Sequence, residues 1–229
     1  MFLREPDRDN NRTIAGALKA AMSRAKKWPV KKGNCLKLTV SFIGGNSYQR
    51  NMVKKHAPEW QQGTGVRFIF LPKSGYKFPG KIRVAFVNDG SSWSKIGTDA
   101  LTVTNKKLPT MNFGWIDRQN ILHEFGHALG LLHEHSSPSV AIPWDKEKVY
   151  RYYYEKSGWS RARVDGNIFR RYEKAATNYT KFDPKSIMLY TFPRKFLKAN
   201  SGWRGINRGE VLSSTDKSFM AKMYPRPRS

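Results

Sequence analysis

Eleven consecutive residues hold the densest chemistry in this sequence: His123-Glu124-Phe125-Gly126-His127-Ala128-Leu129-Gly130-Leu131-Leu132-His133. On a helix, side chains four residues apart share a face, so the imidazoles of His123 and His127 can converge on one ion. Glu124, one residue on from His123, can reach a water on that ion without ligating it. Gly130 can take a left-handed conformation that ends the helix and turns the chain, bringing His133 to the same ion from outside. Three neutral imidazoles leave a fourth position for water, the donor set of a catalytic zinc site. Such an ion draws the water's pKa down to about 7 and polarises a peptide carbonyl. Two histidines four apart around a glutamate are a weak signal. The glycine and third histidine at these offsets make it specific, and four of the chain's five histidines fall between positions 123 and 135. His56 stands apart and reads as an ordinary side chain.

The rest of the composition narrows the setting. Of 229 residues, 39% are hydrophobic and 13% aromatic, enough to bury a core and too many for a disordered chain. Cys35 is the single cysteine, so no intrachain disulfide forms and a metal site must use His, Asp, Glu and water. Forty-two Lys and Arg against seventeen Asp and Glu give 42 − 17 = +25. The excess is dispersed, from Lys26-Lys27 to Arg194-Lys195, as on a solvated basic surface that attracts polyanions or acidic proteins. No nucleic-acid motif is evident and no specific nucleic-acid partner is expected. No stretch approaches the roughly 20 apolar residues of a membrane span. The first residues, Met1-Phe2-Leu3-Arg4-Glu5-Pro6, lack the apolar core of a Sec leader.

The elements that position the site follow from hydrophobic period. Leu36, Leu38, Val40 and Phe42 alternate with polar residues, a half-buried strand ended by Gly44-Gly45. A helix is expected over 47–62, with Met52, Val53 and Trp60 inward and Gly63 as its stop. Strands follow at 66–70 and 82–87, with shorter ones near 92–96 and 110–115. The helix bearing the histidines spans about 117–129. A second long helix begins after Asp145 as N-cap, 158–185 is loop-rich, and 216–223 is a terminal helix stopped by Pro225. A short basic helix is expected over 13–27.

The eleven-residue motif resembles that of the metzincin metallopeptidases, and Glu134-His135 sharpen the likeness to the astacin family, its bacterial members in particular. Ser186-Ile187-Met188-Leu189-Tyr190 looks like the family's methionine turn, with Leu189 where astacins usually have His. Similar segments extend from about Trp28 to Pro225. The resemblance implies that Met188 floors the zinc. It also implies that Tyr190 is an outer ligand that swings away to stabilise an oxyanion. Trp93 and Ser94 look like the edge strand along which substrate backbone lies. Glu134 contacts the mature N-terminus in processed members. Animal astacins also carry two disulfides and a pro-segment aspartate that caps the zinc. Neither Asp7 nor Asp9 sits in a recognisable switch motif here.

Together these features predict an α+β fold of metzincin type. A twisted, mainly antiparallel sheet of about five strands carries the active-site helix, beside an irregular C-terminal subdomain. The expected divisions are an extension over 1–27, a subdomain over 28–130 and a second over 131–229. The predicted activity is zinc-dependent endopeptidase, with one zinc on His123, His127 and His133, Glu124 as general base and Tyr190 as oxyanion stabiliser. The substrate is protein or peptide. Arg194, close after the methionine turn, is expected to favour acidic residues just past the scissile bond, as several astacins do. A monomer acting outside its producer's cytosol, as a secreted or injected toxin-like protease, completes the expectation. Competing readings are a zinc hydrolase of cell-wall peptides and a non-catalytic, zinc-stabilised basic binding protein.

Overall fold

The computed structural model describes residues 22–72, 79–172, 177–179 and 181–227. β1 (Met22–Ser23) is followed by a 3-10 turn at Arg24–Lys26. Of the basic helix expected over 13–27, residues 13–21 lie outside the described set, as do Asp7 and Asp9, and the remainder is not α-helical. β2 (Leu36–Ile43) buries Leu36, Leu38, Val40 and Phe42 as its alternation dictates. α1 (Ser47–His56) opens with a reciprocal cap in which Asn46 Oδ1 accepts from Gln49 N–H and Gln49 Oε1 accepts from Asn46 N–H. The helix expected through residue 62 stops earlier. Pro58 has no N–H to continue the α-helical hydrogen bonding, so Ala57–Gln61 tightens into a 3-10 turn.

β3 (Val66–Phe70), β4 (Ile82–Ala85), β5 (Ser92–Ser94) and β6 (Met111–Phe113) complete a five-stranded sheet of order β3-β2-β4-β6-β5. The expected mainly antiparallel sheet is corrected here. β2 runs parallel to both β3 and β4, β4 runs parallel to β6, and β5–β6 is the sheet's antiparallel pair among the described residues. The cause is connectivity: α1 carries the chain back between β2 and β3, and such a crossover yields parallel neighbours. β4, central in the sheet, is buried at all its positions, as parallel strands covered on both faces are.

α2 (Arg118–Ala128) packs on this sheet, capped by Asp117 Oδ1 accepting from Asn120 N–H at 2.7 Å. Ile121, Leu122, Phe125 and Ala128 enter the core, and Phe125 meets Phe68 edge to face with centroids 5.0 Å apart. Two indoles hold the helix from its carbonyl side. Trp60 Nε1–H donates to Leu122 O at 2.9 Å and Trp28 Nε1–H to Ala128 O at 2.8 Å. Beyond α2 come α3 (Lys146–Ser157), capped by Asp145 and ended by Gly158 at φ 65°, then α4 (Arg161–Val164), β7 (Thr177–Asn178) and α5 (Ser214–Met223). β1 pairs with β7. A second apolar cluster gathers Val149, Tyr153, Val164, Ile168, Phe192 and Phe196. The buried side chains of α5, Phe219, Met220 and Met223, instead join the first cluster beneath α2. Among the described residues no helix is long and apolar enough to cross a membrane.

Candidate metal centre

His123, Glu124 and His127 sit on the buried length of α2, His123 and Glu124 with no exposed surface. The helix ends in a Schellman motif, with Leu131 N–H donating to Gly126 O at 2.9 Å and Gly130 N–H to His127 O at 2.8 Å. Gly130 adopts φ 104°, the left-handed region that the reversal requires. Past it, His133 swings back so that its Nε2 lies 3.0 Å from His127 Nε2, which is 3.1 Å from His123 Nε2. All three candidate ligand atoms lie within 4.8 Å of one another. Nitrogens at zinc's usual distance in a tetrahedral set are about 3.3 Å apart, so the cluster fits that ion.

The rings are oriented from behind. His123 Nδ1–H donates to Ile187 O at 2.7 Å and His127 Nδ1–H to Leu131 O at 2.8 Å, which leaves each Nε2 lone pair for metal. Burial holds all three imidazoles neutral, pushing His127 down to about 4 and His123 and His133 well below the ordinary histidine value. Neutral rings are the ligating form.

The turn beneath the site is pinned by a buried carboxylate. Asp216 accepts from Ser186 Oγ–H, Ile187 N–H and Ser213 N–H at 2.8–3.0 Å. Because Ile187 O holds His123, Asp216 in α5 fixes a histidine of α2 through a single residue, Ile187. Met188 is 2% exposed, and its Sδ lies so close to Gly126 that any Cβ there would collide with it. Glu134 N–H donates to Met188 O at 3.0 Å, tying the His133 segment to the same turn. The Glu134 carboxyl, accepting from Asp183 N–H, is pushed up to about 8, first by burial and then by Asp216 and Asp183 nearby. The Tyr190 ring lies over His133, centroids 4.0 Å apart, and 5.8 Å from His123.

Residues 24–202 match the model of the peptidase family described as Astacin. The chain belongs to the astacin family. That family is one of zinc metallopeptidases, and the three-histidine cluster of this chain is positioned to hold such an ion. Over 150 residues, 65% of the chain, it is 27% identical to zinc metalloproteinase nas-30 of Caenorhabditis elegans, and the match spans 18% of that protein. It is similar to a solved structure of myroilysin at 40% identity and TM-score 0.80, covering 90% of this chain and 99% of the other. A hatching-enzyme zinc-protease from the medaka Oryzias latipes shares the fold at 17% identity and TM-score 0.59, covering 92% and 100%.

Around this astacin-family site, Trp93 and Ser94 lie on β5, the terminal strand of the sheet, paired to Asn112 and Met111 of β6. Arg194 is committed elsewhere: its guanidinium donates to the carbonyls of Leu197, Lys198 and Ala199, closing its own turn. A different cation, Arg208, stands beside the site. One guanidinium nitrogen donates to Gln119 Oε1 at 2.8 Å and Asn120 Oδ1 at 3.0 Å, on the first turn of α2. Burial lowers its pKa against the pull of Asp117, Glu124 and Tyr190, and its Nη1 is buried with no partner among the described residues. In the sequence nothing separates Arg208 from the other forty-one basic residues. A loop brings it to the site from far along the chain.

Proposed function

We propose that the chain is an endopeptidase in which His123, His127 and His133 hold the zinc and Glu124 moves the protons of hydrolysis. When bound, zinc lowers the pKa of a coordinated water to about 7 and polarises the scissile carbonyl. Glu124, adjoining His123 on the same buried helix, takes a proton from the attacking water and delivers it to the leaving amine. The Tyr190 hydroxyl donates to the oxygen on which negative charge grows, from a ring packed against His133. Met188 supplies an apolar floor. Substrate backbone extends along β5 at Trp93 and Ser94, adding an antiparallel strand to the sheet's edge.

The observation that carries this reading is the convergence of three neutral Nε2 atoms, two on buried rings and one on the half-buried His133, beside a fully buried glutamate. Glu124→Gln tests it: the variant keeps zinc and fold and loses about 10²–10⁴-fold in turnover, because an amide accepts no proton. Turnover near wild type would remove Glu124 from the role, and indifference to this change would favour a binding protein. Tyr190→Phe costs less.

For substrate class, the reading favours proteins with Asp or Glu just after the scissile bond. The support is Arg208, whose buried Nη1 lacks a partner among the described residues and which feels the charges of Glu124 and Tyr190. A carboxylate there gains charge-assisted hydrogen bonds. The setting proposed is outside the producer's cytosol, as a monomeric, toxin-like or effector protease, for which +25 favours anionic surfaces. Fractionation that finds the protein in the producer's cytosol alone would defeat that setting.

A further inference from the structure

His135 is not among the three clustered histidines, yet it is only 3% exposed. Its ring stacks on His133 with centroids 5.3 Å apart and planes 24° apart, and on Tyr190 at 5.1 Å and 27°. Phe192 closes its outer side edge-on at 5.1 Å, and Phe192 itself is braced edge-on by Trp144 at 4.8 Å. The nitrogens of His135 contribute little to this arrangement. Nε2 makes one long contact, 3.5 Å to Asn167 O, and Nδ1 is buried without a partner among the described residues. A group placed for hydrogen bonding would not be left so. The ring is a flat plate wedged between the second aromatic cluster and the two rings that face the zinc position.

Tyr190 needs such a plate. Its ring is half-buried, and a tyrosine side chain left unsupported samples several staggered wells. His133 covers it from one side at 4.0 Å. A ring met at 4.0 Å by the tilted ring of His133 and at 5.1 Å by the near-parallel ring of His135 keeps few of its rotamers.

We propose that His135 is a positioning residue: the planar face of its ring holds Tyr190 against His133 and so keeps the Tyr190 hydroxyl aimed at the reaction. The claim rests on the oxyanion role given to Tyr190 above. Neither His135 nitrogen takes part, so phenylalanine serves as well as histidine, while leucine, of similar bulk but not planar, does not.

The test uses the full-length zinc protein with His135→Leu, His135→Phe, Tyr190→Phe and the His135→Leu/Tyr190→Phe pair, each checked for zinc content. His135→Leu is expected to lower kcat about 3- to 10-fold, the scale of losing one favoured rotamer among three. KM stays within about twofold and zinc stoichiometry is unchanged. His135→Phe restores kcat to within about twofold of wild type. In the Tyr190→Phe background, His135→Leu has no further effect on kcat, because the hydroxyl it positions is gone. The proposal is overturned if the His135→Leu loss persists undiminished in that background, or if His135→Phe is as impaired as His135→Leu. A Tyr190→Phe enzyme as fast as wild type would overturn the oxyanion role itself, and that single variant reports it separately from the pair.

Discussion

Replacing Glu134 by glutamine should make the protein more stable, by an amount that grows with pH. The Glu134 carboxyl is 5% exposed, with two further carboxylates nearby, and its pKa is pushed up to about 8 from an ordinary 4.5. Between those values the folded protein holds a proton that the unfolded chain has released. Stability therefore falls as pH rises through this window, the reverse of the usual paired carboxylate. At about 1.4 kcal/mol per pH unit, the wild type forfeits about 3 kcal/mol by pH 7 relative to pH 4.5. Glutamine matches the protonated acid in shape and still offers Oε1 to Asp183 N–H, the bond seen at 3.0 Å. Urea unfolding of both zinc-loaded proteins at pH 5, 6, 7 and 8 measures the difference, in which the histidine titrations common to both cancel. The Glu134→Gln advantage should widen by roughly 2–3 kcal/mol from pH 5 to pH 7. A difference that stays flat, or shrinks as pH rises, would mean that Glu134 is ionised in the folded protein and that a cation lies against it.

Further outcomes can be set beside this one. His127→Ala/His133→Ala should abolish zinc in metal analysis of the purified protein, and a full equivalent retained would refute the ligand set. Gly126→Ala gains about 1 kcal/mol of helix propensity and loses about 1–3 kcal/mol by driving a methyl into Met188. The expected result is a lower melting temperature and weaker zinc retention, and unchanged values for both would show that Met188 does not bear on the metal. Arg194→Ala should cost about 1–2 kcal/mol through the carbonyls of residues 197–199 and leave a peptide-library cleavage profile untouched. Arg208→Ala should erase any preference for acidic residues after the cut, and a profile altered by Arg194→Ala alone would reverse these assignments.

The centre of the site was legible because its determinants are local. His123, Glu124 and His127 are set by helical spacing, and Gly130 by the left-handed turn that lets His133 return. The strands of the sheet were legible by period, whereas their directions were not. Period 2 says which residues face inward and nothing about which neighbour a strand meets. The crossover through α1 is the feature that decides parallel pairing. Pro58 was a local signal that the apolar spacing of Met52, Val53 and Trp60 outweighed. Arg208 and the carbonyl-bound Arg194 lay beyond reach for a different reason. Where a guanidinium points depends on a loop's path, which adjacency in sequence does not give.

The helix that carries His123 and His127 depends on chain that is made much later. Ile187 O orients His123, Asp216 holds Ile187, and the apolar face of α5 closes the core on which α2 rests. From His123 to Met223, 223 − 123 = 100 residues must still be synthesised. At ribosomal rates of about 5–20 residues per second, that is about 5–20 seconds during which the histidines exist without the scaffold that aligns them. The fold thus acts as a clock on its own chemistry. A nascent or C-terminally truncated chain carries the whole eleven-residue motif yet lacks the parts that aim it.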